Sequence, residues 1–247
     1  MQTLWNTVFY EPIYNALIFI INTITLGDIG FAIILLTLVV KFILSPLTKK
    51  SIKSQILMKK MEPELKQIKK DFPDKQEQAK KTFELYKKHG TNPFSGCLVI
   101  LLQLPVIFAL YFVFYKGLGN LNAGPLYSFI QIPENLHANF LGLIDMGGKS
   151  IVLALLAGVS QFIQGYLASP IKPKVEVLPA GTAKEPKTFQ EQMADSMQMN
   201  VKYVLPVFIA IIAYQISAGV ALYWITSNIF TIVQEWYIRR SFLKKAI

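Results

Sequence analysis

Four apolar runs fix most of what this chain can fold into: Ile29 to Leu47, Gly96 to Phe114, Ser150 to Leu167, and Val201 to Ile238. A helix that crosses a membrane needs roughly 17 to 25 mostly apolar residues, and the first three runs fit one crossing each. The fourth is too long for one and contains Ser217-Ala218-Gly219, small residues suited to a tight turn, so it divides into a helical hairpin. Composition points the same way, with 53% of residues hydrophobic and only 16% charged, against roughly 25% charged in a soluble domain. The expectation is an all-α integral membrane protein with five transmembrane helices, at about 28–48, 94–116, 148–168, 201–217 and 219–238.

Charge sets the orientation, because cations collect on the cytoplasmic side. No Lys or Arg precedes Lys41, whereas thirteen lysines face six acids between Thr48 and Thr91. The loop from Lys116 to Lys149 is balanced, residues 169–202 carry five lysines and four acids, and the tail 239–247 holds Arg239, Arg240, Lys244 and Lys245. Cations alternate with the spans, giving an N-terminus outside and a C-terminus inside. Residues 1–27 read as an extracytoplasmic segment whose stretch 12–26 forms an amphipathic helix lying in the interface. There Asn15 and Asn22 interrupt an otherwise apolar pattern. Residues 49–91 read as a cytoplasmic hairpin of two charged helices broken at Phe72-Pro73-Asp74, and the Pro- and Gly-rich 169–200 as a flexible cytoplasmic loop.

Several chemistries find no support. No His, Cys and carboxylate cluster has metal-ligand spacing, and no Gly-rich phosphate cradle follows a strand pattern, so the sequence implies no metal, no cofactor and no enzymatic reaction. Cys97 stands alone, which excludes an internal disulfide and suits a small packed residue. The N-terminus lacks the cationic start and small-residue cleavage site of a removable signal peptide.

Polar residues inside the apolar runs carry the functional signal. Thr37, Lys41, Ser45 and Thr48 fall on one helix face, as do Trp224, Ser227, Asn228, Thr231 and Gln234, while the third run has Ser160, Gln161 and Gln164 and the second Gln103. Lys41 lies six residues before Leu47, about 9 Å from the end of its span, where a lysine costs about 2.5 to 3.5 kcal/mol unless its ammonium reaches water. Two readings stand: Lys41 snorkels to the interface, or four polar faces enclose a shared watery cavity with Lys41 as its fixed charge. Proton relays use Asp, Glu or His chains, which these spans lack.

The segments LVVKFILSPLTKKS (Leu38 to Ser51), NPFSGCLVILLQLPVIFALY (Asn92 to Tyr111), FLGLIDMGGKS (Phe140 to Ser150) and ALYWITSNIFTIVQ (Ala221 to Gln234) resemble, in order, the signature segments of the YidC/Oxa family of membrane protein insertases. The resemblance is to the short bacterial form without a large extracytoplasmic domain. It implies five spans around a hydrophilic groove, insertion of membrane proteins with or without the Sec translocon, and a location in the bacterial plasma (inner) membrane. The implied partners are nascent membrane protein substrates, the lipid bilayer, and the Sec translocon and ribosome, the last through the basic hairpin. Lys41 matches the groove's positive residue, with Thr37 one turn before it, and Tyr223 and Trp224 match an aromatic pair implicated in substrate contact. Helical face adds Gln103, Gln161, Gln164, Ser227 and Gln234 as groove lining. The family usually has arginine where this chain has Lys41, which keeps the charge but loses the rigid five-donor fork. A small-solute transporter or channel, or a structural partner of the Sec machinery, is the alternative.

Overall fold

The structure, a computed structural model, describes residues 2–92, 95–115, 125–133, 135–168 and 199–244. The expected loop 169–200 and the end of the basic tail lie almost wholly outside those residues, and so does the side chain of Cys97.

The chain opens with a short helix α1 (Gln2–Trp5), a wider π-type stretch (Asn6–Tyr10) and α2 (Glu11–Thr23). Tyr14, Leu17, Ile18 and Ile21 form one buried face of α2, which packs on α3 and α6. The asparagines that interrupted its apolar pattern are ties to a distant loop. The Asn15 side chain donates to Pro125 O and accepts from Tyr127 N, both at 2.8 Å, and Asn22 donates to Gln131 O at 3.4 Å.

Leu26 (φ 50°) and Gly27 (φ 98°) turn the chain into α3 (Ile29–Lys60). Asp28 caps that helix by accepting from Phe31 N at 2.9 Å. The expected boundary near residue 48 is absent: α3 runs on through Pro46 and the first lysines without a break. A proline inside a helix removes one ladder hydrogen bond, here the one to the Phe42 carbonyl four residues back, and close by Gln234 Nε2 of a later helix donates to Ser45 Oγ at 2.6 Å and Ser45 O at 3.3 Å. The charged hairpin proper is α4 (Glu62–Asp71) and α5 (Lys75–Lys88), with Asp74 capping α5.

Helix α6 (Ser95–Tyr115) returns along α3. A two-stranded antiparallel ribbon follows, β1 (Asn139–Phe140) with β2 (Ile144–Asp145), which the helical expectation did not include. Its turn uses Leu141 (φ 54°) and Gly142 (φ 70°). Next come α7 (Ile151–Ala168), a π-type stretch (Asn200–Val204), α8 (Leu205–Gln215) and α9 (Ala218–Lys244). Ser150 Oγ and Ser217 Oγ accept from Leu153 N and Val220 N, so these serines cap α7 and α9.

Helix α9 packs on both α3 and α7, α3 also on α6, and α7 also on α8, an arc with α9 and α3 at its centre. The buried apolar core fills only one end of that arc. It takes in α2, Ile29 to Leu36 of α3, Val106 to Val113 of α6, Leu153 to Ala157 of α7, and Ala218 to Trp224 of α9. This is the ribbon end, where Ala218 N donates to Gly148 O and Gly219 N to Met146 O, and where His137 N donates to Gly27 O and Ile29 N to His137 O, tying the α2–α3 turn to the ribbon. At the hairpin end the same helices turn polar.

Candidate functional site

Three helices reach the edge of the apolar core at matching points: Leu36 gives way to Thr37 on α3, Val106 to Gln103 on α6, and Trp224 to Ser227 on α9. Just beyond that edge, Lys41 Nζ donates to Gln103 Oε1 and to Thr231 Oγ1, each at 3.2 Å. Thr231 commits its own proton to Ser227 O at 2.8 Å, so toward Lys41 it can only accept. One turn further on, Gln234 ties α9 to Ser45 of α3. The i, i+3 and i, i+4 spacings of both helices produce this ladder: Lys41 and Ser45 on one side, Ser227, Thr231 and Gln234 on the other.

Among the described residues no carboxylate pairs with Lys41. Glu235 is buried on α9 but holds Arg239 at 2.6 Å, and Arg239 also donates to Ala168 O at the end of α7. Lys41 is therefore a cation held by neutral groups, which keep its charge uncompensated. One donor beside it is orphaned: Gln103 Nε2 is buried and makes no hydrogen bond among the described residues.

The expected site residues separate into groups. Lys41, Gln103, Ser227 and Gln234 belong to the α3–α6–α9 ladder. Thr37 is buried next to it and turns its hydroxyl to Ile33 O at 2.6 Å. Gln161 and Gln164 lie on α7 and bond each other at 3.2 Å, beside a second polar seam in which Asn228 donates to Ser160 Oγ at 3.0 Å. Tyr223 and Trp224 are 1% and 9% exposed, inside the apolar core. Their large apolar area is what draws them in, at the expense of the Tyr223 hydroxyl, which is buried without a partner among the described residues. Thr231 and Ser45, which share faces with Ser227 and Lys41 in the sequence, are the ladder members that the expected set left out.

The model of the family described as 60Kd inner membrane protein matches residues 20–245. A membrane protein insertase YidC of Fusobacterium nucleatum subsp. nucleatum is 34% identical over 94% of this chain and 97% of its own length. The chain belongs to the 60Kd inner membrane protein family. Another family relative, the membrane protein insertase YidC of Oceanobacillus iheyensis, is 31% identical over 98% of the chain and 86% of its own length. That of Campylobacter jejuni is 34% identical over 98% of the chain but only 39% of its own. Among solved structures, an active YidC insertase crystal structure with its first transmembrane domain resolved has the same fold, with a TM-score of 0.58 at 24% identity over 93% of this chain and 45% of that one. Family membership agrees with two helices of the described chain, Ile29–Met58 and Ile151–Ala168, that are long and apolar enough to cross a membrane, and with the shorter apolar helices Gln103–Val113 and Asn200–Gln215.

Proposed function

We propose that this protein is a membrane protein insertase of the bacterial plasma membrane, in which the polar half of the bundle receives the short polar tail of a small substrate while the substrate's apolar segment passes into lipid. The observation that carries this reading is Lys41, a cation held between Gln103 and Thr231 with no acid among the described residues to neutralise it. A protein that needed Lys41 only for packing would pair it, since ionisable groups in membranes normally meet a counter-charge or water.

In this reading α3, α6, α7, α8 and α9 are five spans, the ribbon end faces outside, and α4–α5 is cytoplasmic. Two lysine–tyrosine contacts support that placement: Lys149 sits over the Tyr214 ring at 5.6 Å, and Lys202 over Tyr166 at 4.3 Å. Lys149 and Tyr166 are seventeen positions apart, about 26 Å of helix, close to the ~30 Å hydrocarbon thickness. Amphipathic rings and lysines gather at such boundaries. Between them α7 exposes Leu155, Leu156, Val159, Phe162 and Ile163, and α9 exposes Ile229 and Val233, apolar surface for lipid or for a substrate helix.

The apolar core closes the outer half, and the polar half shortens the low-dielectric path that a tail must cross. Lys41 attracts an acidic tail from the cytoplasm, and the membrane potential then pulls each negative charge outward with about 2.3 kcal/mol per 100 mV. No covalent bond changes and no nucleotide is needed. The lysines of α4 and α5 offer a docking surface for ribosomal RNA or anionic lipid, and the apolar flanks leave room to act alone or beside the Sec translocon.

The test is insertion of a single-span substrate with an acidic outer tail into proteoliposomes. Lys41→Arg is expected to insert as the unaltered protein does, and Lys41→Ala and Lys41→Glu to lose insertion. Equal insertion by all four proteins sinks the role of the charge, and solute flux without insertion marks a channel instead.

A further inference from the structure

The outer half of the bundle is closed. Leu17, Ile18 and Ile21 of α2 and Ile29, Ala32 and Ile33 of α3 are all 0% exposed, and they join Val106 to Val113 of α6 in one apolar core. A polar tail that enters from the hairpin end meets this dry barrier before it reaches the outside. Of the helices in the core, α3, α6, α7 and α9 run on into the polar half, whereas α2 does not. Its thirteen residues measure about 20 Å, too short to cross a membrane.

Two asparagines fasten α2 to the loop 125–133. Asn15 holds Pro125 O and Tyr127 N, and two turns later Asn22 reaches Gln131 O. Leu126 and Ile130 of that loop pack on the same core, so the loop lies along α2 as a strap. In lipid an apolar helix face gains little by exchanging hydrocarbon for protein, and hydrogen bonds and close packing decide association. The asparagine ties therefore carry more of the hold on α2 than they would in water. The α2–α3 turn, by contrast, is anchored through the backbone, with Ile29 N donating to His137 O and His137 N to Gly27 O. Leu26 and Gly27, both at positive φ, form the joint between the strapped helix and that anchor. Off the core, α2 has the amphipathic pattern that suits the membrane interface, the position its sequence indicates.

We propose that α2 is a stopper on the outer half of the bundle, that the loop 125–133 is the strap that holds it, and that the polar tail of a substrate reaches the outside when Asn15 releases the strap and α2 swings about Leu26 and Gly27 into the interface. The proposal rests on the insertase reading and adds to it the element that opens the outer half.

The experiment joins α2 to the strap in a Cys97→Ser background, with Asn22→Cys and Gln131→Cys bridged by a short thiol linker that reduction removes. Proteoliposomes then receive a single-span substrate with a photoreactive polar tail. The locked protein is expected to cross-link to the tail but to lose its crossing, read as loss of protection from protease, and reduction should restore it. A linker between Leu141→Cys and Leu143→Cys, both exposed in the ribbon turn, should leave crossing intact. Asn15→Leu, which loosens the strap, should speed crossing about fivefold, the factor that one net hydrogen bond carries. The proposal is overturned if the α2 lock leaves crossing unchanged or abolishes capture of the tail as well. It is also overturned if the ribbon lock stops crossing equally, or if Asn15→Leu crosses no faster. Failure of the unaltered protein to insert the substrate overturns the insertase reading itself.

Discussion

At the scale of single residues, polar side chains in this chain do two different jobs that look alike in sequence. Lys41 keeps an uncompensated charge, whereas Asn15 is fully used. Its side chain satisfies Pro125 O and Tyr127 N in the manner of a strand neighbour, and it also donates to Glu11 O at 2.8 Å. Asn15→Leu removes those partners and leaves a backbone donor and acceptor unpaired in a part-buried setting, which costs about 1 kcal/mol. The expected outcome is a lower thermal midpoint in detergent and faster amide exchange at Tyr127, with Asn22→Leu milder because its single bond to Gln131 O is exposed and long. An unchanged midpoint for Asn15→Leu would mean that the loop is held by other contacts. Nothing local distinguishes Asn15 from a residue wetted at the interface, since its partners Pro125 and Tyr127 lie more than a hundred positions away. Lys41 was legible because a cation in an apolar run stands out without any partner. For Tyr223 and Trp224 the sequence draws no such distinction, because an aromatic pair on an apolar helix suits a contact surface and a core equally well.

At the scale of elements, association in lipid gains little from the hydrophobic effect and depends on close packing and hydrogen bonds. The α7–α8 pair illustrates this. A Cβ placed on Gly158 would stand 2.9 Å from Ala210 Cβ and 3.1 Å from Pro206 O, and one on Gly165 3.1 Å from Val201 O. Two small residues seven positions apart thus let α8 and the π-type stretch before it lie against α7. Gly158→Val is expected to separate the helices and destabilise the protein by about 1 to 3 kcal/mol, read as a lower midpoint. Val159→Leu, on the exposed face next to it, should be neutral. If both variants unfold alike, the close approach does not hold the pair together. The apolar helices were legible from their length and the turn at Ser217 from its small residues. The uninterrupted run of α3 past Pro46 was not legible, because a proline followed by lysines marks a helix end as readily as a tolerated interior position.

At the scale of the molecule, the division between an apolar ribbon end and a polar hairpin end gives the bundle a direction, which the alternation of cations in the sequence already indicated. The proposed orientation makes the two ends chemically distinguishable in an intact membrane. With Cys97 replaced by Ser, a single cysteine at Leu141, 63% exposed on the ribbon turn, should react with a membrane-impermeant thiol reagent added outside. One at Phe83, 58% exposed on α5, should react only after the membrane is permeabilised. A third at Ser45 tests the polar half: lying beyond Lys41 toward the hairpin end and only partly buried, it should react from the cytoplasmic side, and more slowly when an acid-tailed substrate is present. A cysteine at Thr37, buried at the edge of the apolar core, should stay unreactive from both sides. Labelling of Leu141→Cys and Phe83→Cys from the same side would remove the five-span arrangement. Labelling of Thr37→Cys from outside would mean that the core does not seal the outer half, and a tail could then cross by open diffusion without any groove charge to draw it.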